Sequence, residues 1–288
     1  MEGKKEKEIP FFEKPWRILF WEVFLFSLTF VLGISTAYRI NIVAPMPKIE
    51  ATPSFFSEFI LSTAFALGII LLIIKFVKSG FKKRVLLKTI FLFAFFFGSL
   101  IFFEVWLGEP IALTLLLFLA FLWIKMPNIF IHDLLMIFGM AGLSSYLGLG
   151  LTPEVVAILL VIFSVYDVIA VYKTKHMVRM AKEMTEAGAL PGLFLPSKAS
   201  ELNTPLEKTS LGGKFLILGG GDIVFPLLFS ISALQNGIIQ SVIVAIFALL
   251  GLLFSFWIFF QQKERQAIPA LPPIALFSII GYLFSLLI

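Results

Sequence analysis

Cysteine does not occur in this chain, and histidine occurs only twice, at His132 and His176. The first absence excludes disulfides, thiolate metal centres and a cysteine nucleophile. The second leaves too few imidazoles for a histidine-rich metal site, so neither a metal nor another cofactor is expected. Charge is also scarce. Asp, Glu, Lys and Arg make up 14% of the 288 residues, where soluble domains carry about 25%. Apolar residues, by contrast, make up 59%. That balance describes an all-α polytopic membrane protein. The formal net charge of +5 fits basic loops facing an anionic cytoplasmic leaflet better than a nucleic-acid partner.

A membrane-spanning helix needs about 20 apolar residues. Nine stretches qualify: 17–38, 55–77, 85–106, 109–125, 128–149, 153–174, 212–234, 238–260 and 267–288. The first is too long for a signal-peptide core and lacks a small-residue cleavage site, so it reads as a retained span. Met1 to Arg17, mixing Lys and Glu, reads as a disordered or surface-lying tail. Pro110, Pro127, Pro153 and Pro269 lie near span starts, where a missing N–H is harmless. With the N-terminus in the cytoplasm, only Arg39 and Lys48 of the 23 Lys and Arg residues fall on the opposite side. Adding or dropping a span would destroy that asymmetry. Nine transmembrane helices, a cytoplasmic N-terminus and an outside C-terminus are therefore expected, in an integral, multi-pass protein of the cell membrane.

One connection is unlike the others. A cytoplasmic loop at about 175–211 joins the sixth and seventh spans. In it, Met177, Val178, Ala181 and Met184 recur at helical spacing among Lys and Glu, which predicts an amphipathic extension of the sixth helix at the interface. Gly188, Pro191, Gly192, Pro196 and Pro205 then break regular structure. Long loops are usually functional or disordered, and the expectation is a mobile segment near the site.

Two aspartates lie where hydrocarbon should forbid them. Asp167 is inside the sixth span and Asp222 inside the seventh. A carboxylate at mid-bilayer costs on the order of 2.5–3.5 kcal/mol even on the most lenient scale, so such residues face a wet interior and act there. Asp167 precedes Lys175 by eight residues and Asp222 follows Lys214 by eight. At a helical rise, each would lie about 12 Å from the cytoplasmic boundary. Antiparallel neighbours would then bring both carboxyls to one level. Two carboxyls a few ångströms apart share a proton. The ionised one can deprotonate water while the protonated one polarises a peptide carbonyl. The titration belongs to the pair, so neither residue is assigned permanently as acid or base.

Three glycines, Gly219, Gly220 and Gly221, directly precede Asp222. They weaken a helix and let another backbone approach. Tyr166 precedes Asp167, either as an interior hydrogen-bonding tyrosine or as a wall of the pocket. Pro269-Ala270-Leu271-Pro272-Pro273 opens the ninth span on the side expected for the aspartates. Its three prolines remove three backbone donors and disfavour helix before each. It can cap the span entry, or its free backbone groups can pair with an extended substrate.

In these residues the chain resembles the presenilin and signal peptide peptidase family of intramembrane aspartyl proteases. That family carries Tyr-Asp in its sixth span, Gly-x-Gly-Asp in its seventh and Pro-Ala-Leu in its ninth. Here they stand as Tyr166-Asp167, Gly219-Gly220-Gly221-Asp222 and Pro269-Ala270-Leu271. All three occur in order, with a long loop between the first two. The resemblance covers roughly 153–288; the first five spans agree in number and topology only. Asp222-Ile223-Val224-Phe225-Pro226 is closer to signal peptide peptidases, whereas Tyr166 to Val171 and Pro269 to Pro272 are closer to presenilins. The cytoplasmic N-terminus is similar to presenilins and opposite to signal peptide peptidases, which leaves type I or type II substrates open. The resemblance implies an endopeptidase that cuts transmembrane helices. Asp167 and Asp222 would be catalytic, and Pro269-Ala270-Leu271 would shape the site. It divides the chain into a scaffold half, 1–152, and a catalytic half, 153–288.

The expected partners are transmembrane-helix substrates and the lipid bilayer; a homo-oligomer is compatible with the sequence. A cation or proton transporter using the paired carboxylates is the alternative, and a non-catalytic scaffold or ion leak a third reading. His132, Asp133 and Glu22 read as interfacial residues, with Trp16 and Trp21 as anchors. Glu58, Glu104, Glu109 and Glu154 read as outer-boundary residues. Gly139, Ala141, Gly142 and Ser145 suggest close helix contact rather than chemistry.

Overall fold

The computed structural model describes residues 15–48, 52, 54, 57, 58, 61, 62, 65, 80–174, 176–209, 215–262 and 266–288. Most of the second candidate span, 55–77, and nearly all of the N-terminal tail lie outside them. Nine α-helices occur among the described residues: α1 (Pro15–Val43), α2 (Gly80–Leu107), α3 (Glu109–Lys125), α4 (Ile129–Gly150), α5 (Pro153–Val168), α6 (His176–Ala187), α7 (Gly220–Ser232), α8 (Ile238–Gln261) and α9 (Leu271–Ser285). A π-helical turn, Ile169–Lys173, extends α5. Five stretches are long and apolar enough to cross a membrane: α1, Val85–Leu107 of α2, α4, α5 with its π turn, and α8. Gly220–Gln235 and Leu271–Ser285 are shorter apolar helices. Among the described residues, the regular structure is helical except for one small sheet.

The most enclosed helix is α4, packed against α1, α2 and α7. Its small residues act as expected. A Cβ added at Gly98 of α2 would overlap the Gly139 carbonyl oxygen, and one at Gly142 would overlap that of Gly98. Ser145 Oγ donates to the Gly33 carbonyl of α1 at 2.8 Å. Without a hydrophobic force between helices in lipid, such close approaches and interhelical hydrogen bonds supply the association energy. Near the same end of the bundle, Ser230 Oγ of α7 donates to the Ser241 carbonyl of α8 at 2.8 Å. Asn236 Nδ2 donates to the Tyr282 hydroxyl of α9 at 3.1 Å. Gly237, between α7 and α8, turns the chain at φ 131°, a conformation that favours glycine.

Three expectations need correction. The seventh span is not one helix over 212–234. Leu216–Gly219 forms a strand, β2, and the helix begins at Gly220. The long loop supplies its partner, β1 (Gly192–Leu195), antiparallel in the register Gly192↔Gly219, Leu193↔Leu218, Phe194↔Ile217 and Leu195↔Leu216. The glycines do not hold a helix together, and a neighbouring strand offers the backbone an alternative ladder. The described part of that loop is therefore packed structure. Leu193, Phe194 and Leu195 are buried, and the amphipathic helix is present as α6. Likewise, the last helix starts at Leu271 rather than at 267, because the proline cluster forms its first turn.

Replacing Gly142 with Val should force α2 and α4 apart. The expected destabilisation is about 1–3 kcal/mol, read as a lower thermal midpoint in detergent. An unchanged midpoint would show that the contact contributes nothing.

Candidate active site

The first aspartate, Asp167, lies in the last turn of α5 and is 5% exposed. The π turn follows at once, with Thr174 N donating to the Ile169 carbonyl at 3.0 Å across five residues. Such wide turns are rare and occur often at functional sites. One oxygen of the Asp167 carboxyl, Oδ2, is buried with no hydrogen-bond partner among the described residues. An unsatisfied carboxyl oxygen in a protein interior is expensive unless something else uses it.

Asp222 is the third residue of α7, two positions after Gly220. The equal-depth estimate assumed helix from Lys214 onward. The strand at 216–219 rises more than twice as steeply, so that arithmetic does not hold. The two carboxyls nevertheless come within electrostatic reach of each other by another route. Asp222 folds back toward Gly219, the N-cap of its own helix. A Cβ on Gly219 would lie 2.8 Å from Asp222 Oδ2, so the carboxyl folds over a position that only glycine leaves free.

The Pro-Ala-Leu segment completes the arrangement. Pro269 and Leu271 are buried, and Ala270 is the N-cap of α9. The first three helical positions are Leu271, Pro272 and Pro273. Two of them have no N–H, so Leu271 presents the one free backbone donor at the start of that helix. Both carboxyls lie within electrostatic reach of that amide, which favours negative charge on Asp167 and on Asp222. The two carboxyls also interact electrostatically with each other. Helix starts at Gly220 and Leu271 both favour negative charge there.

The remaining sequence candidates are placed as follows. Gly220 N donates to the Pro191 carbonyl at 2.9 Å, continuing the β1–β2 ladder into the helix. Its missing Cβ would lie 3.3 Å from Met136 Cε of α4. Gly221 is exposed, and only the Phe225 ring comes near its missing Cβ. Tyr166 is 57% exposed, beside but not folded over the buried Asp167.

Three residues read as interfacial are not. His132 and Asp133 are buried on α4 and bind β1. His132 Nε2 meets the Gly192 carbonyl at 3.2 Å, and Asp133 Oδ1 accepts from Phe194 N at 3.0 Å. Glu22 is 5% exposed, its Oε2 has no partner among the described residues, and it interacts electrostatically with Asp222. The signal was legible for Glu22. It falls in the buried stripe of α1 with Ile18, Leu25 and Thr29, at the spacing of a helix face turned inward.

A bundle of apolar helices holding a buried and a half-buried aspartate that interact electrostatically fits one class: a membrane-embedded aspartic protease. The chain belongs to the signal-peptide peptidase, presenilin aspartyl protease family, whose pattern it matches over residues 22–288. It is thus an aspartic-type, intramembrane-cleaving endopeptidase. The fold agrees. A presenilin family intramembrane aspartate protease solved in space group C222 superposes with a TM-score of 0.63 at 19% identity, covering 94% of this chain and 98% of that one. A structure of such a protease in space group P2 gives a TM-score of 0.62 at 19% identity, covering 92% and 96%. No curated protein matches the chain. The transporter alternative gains no support from this family.

Gly219→Ala should push the Asp222 carboxyl off its place while leaving the bundle intact. Cleavage of a reconstituted substrate should fall about 10- to 100-fold, the scale of an ångström-sized displacement, with little change in the thermal midpoint. Undiminished turnover would show that Asp222 does not depend on that space.

Proposed function

We propose that Asp167 and Asp222 are the catalytic pair, hydrolysing peptide bonds in or near transmembrane helices by shared-proton acid and base catalysis. The observation that supports this best is that the two carboxyls, from different helices, interact electrostatically with each other and with the Leu271 amide. The ionised carboxyl takes a proton from water, and the resulting hydroxide adds to the peptide carbonyl carbon. The protonated carboxyl gives its proton to the carbonyl oxygen, forming a tetrahedral diol. The first carboxyl, now protonated, passes its proton to the leaving nitrogen as the C–N bond breaks. The diol returns a proton to the second carboxyl, so the pair ends with one proton, as it began. No side-chain nucleophile is needed.

A helical peptide bond hides its carbonyl in its own hydrogen bond, so the substrate must unwind before attack. The unwound segment enters laterally and pairs as extended chain near β2 and the Pro269-Ala270-Leu271 turn, with Tyr166, Gly219, Gly220 and Gly221 as walls. The exposure of Gly221 and Tyr166 directly beside the two aspartates supports that assignment. In this reading, nine spans cross the cell membrane with the N-terminus in the cytoplasm. Residues 153–288 carry the chemistry, and residues 1–152 form the scaffold.

The test is cleavage of a transmembrane substrate in proteoliposomes. Asp167→Asn and Asp222→Asn should each abolish product, and a hydroxyl-bearing transition-state mimic should block the wild type. The rate should fall on both the acid and alkaline sides, as both carboxyls become protonated or both ionised. A profile flat from about pH 4 to 9 would contradict a shared proton. Product from either Asn variant would remove that aspartate from the chemistry.

A further inference from the structure

The start of α4 holds the segment that precedes Asp222. Asn128 Oδ1 caps the helix by accepting from Ile131 N at 2.9 Å. Ile129 N donates to the Thr204 carbonyl at 3.1 Å, and Leu206 N donates to the Pro127 carbonyl at 2.9 Å. One turn further in, the consecutive residues His132 and Asp133 grip β1 on both sides of Leu193. His132 Nε2 contacts the Gly192 carbonyl, and Asp133 accepts from the Phe194 amide. Trp123 Nε1 donates to His132 Nδ1 at 3.3 Å. Nδ1 is therefore the acceptor, and the ring proton sits on Nε2, directed at Gly192. Phe91 stacks on the imidazole at 4.9 Å between centroids and on Trp123 at 5.2 Å. Phe194 meets the imidazole edge-on at 5.3 Å. The imidazole cannot turn without breaking that stack.

From β1 the connection to the site is short. Gly192 pairs with Gly219, and Pro191 accepts from Gly220, so the ladder ends two residues before Asp222. A Cβ on Gly192 would lie 2.8 Å from the Leu218 carbonyl oxygen, so the strands meet closely at this point. β1 therefore fixes where α7 begins, and α4 fixes β1. We propose that His132 and Asp133 are positioning residues: by clamping β1 they set the start of α7, and with it the place of the Asp222 carboxyl opposite Asp167. This rests on the two-aspartate reading above. It assigns a task to two polar residues that touch neither carboxyl. Burying an imidazole and a carboxyl in one turn of an apolar helix is otherwise unfavourable. The backbone partners of β1 satisfy the imidazole Nε2 and one oxygen of the carboxyl.

The clamp needs an acceptor at position 133, not a charge. Asp133→Asn keeps the acceptor, whereas Asp133→Leu keeps similar bulk and loses it. In the full-length protein, Asp133→Leu should lower kcat per folded molecule about 10- to 100-fold with KM nearly unchanged. Asp133→Asn should restore most of the rate. Amide hydrogen exchange across 190–196 should quicken in the Leu variant and stay slow in the Asn variant. His132→Phe keeps the ring stack but removes the donor to Gly192, and it should act in the same direction; it is the deciding variant if Asp133→Leu does not fold. A purely structural role would lower the thermal midpoint and yield without lowering kcat per folded molecule, and would overturn the proposal. So would an Asn variant as impaired as the Leu variant. A wild type that cuts nothing would overturn the two-aspartate reading instead, and hydrogen exchange alone would then decide the clamp.

Discussion

The site depends on two carboxyls that share one electrostatic environment beside the start of α9. Leu271 opens α9, and the prolines on its C-terminal side leave its N–H without rivals in the first turn. A donor at a helix start attracts negative charge. Here it lies within electrostatic reach of two carboxyls from two other helices, Asp167 at the end of α5 and Asp222 at the start of α7. A positive helix end near two acids lowers the penalty of keeping one of them ionised. The Pro-Ala-Leu segment therefore contributes to the electrostatics around both acids. Its prolines matter because of the donors they lack.

The second constraint is how Asp222 is delivered. A continuous helix from the cytoplasmic side would present it deep in a span, among side chains. Instead the chain arrives as a strand, is pinned by β1, and turns into a helix at Gly220. The glycines serve three separate needs. Gly219 leaves room for the Asp222 carboxyl, Gly220 lets Pro191 and Met136 come close, and Gly221 keeps one side open. An open edge beside a pair of acids suits a reaction whose substrate must lose its own helix first. Glu22 adds a further acid, itself buried, within electrostatic reach of Asp222.

Much of this was legible in the residues. The two aspartates, the glycines before the second and the proline cluster were distinguishable because each violates what an apolar span prefers. Gly139, Gly142 and Ser145 were legible for the same reason, and they do mediate helix contact. The strand at 216–219 was not. Leu216-Ile217-Leu218 is a short apolar run, and periodicity cannot separate a buried strand from a buried helix. Its partner lies more than 20 residues away, in a stretch whose glycines and prolines signal only irregularity. His132 and Asp133 were misplaced for a related reason. Five residues into a span looks like an interface unless another segment folds over it, and β1 does. Glu22 was open to a correct assignment, since its neighbours on the α1 stripe are buried, but depth along the helix was weighed above facing.

The central claim is that the side chains at 167 and 222 meet. The chain has no cysteine of its own, so an Asp167→Cys/Asp222→Cys double variant can be probed with a short bifunctional thiol reagent in membranes. The account predicts an efficient link within one chain, seen after cleavage of the 175–211 segment as two fragments that stay joined. A folded double variant whose two thiols react singly and never join would contradict it.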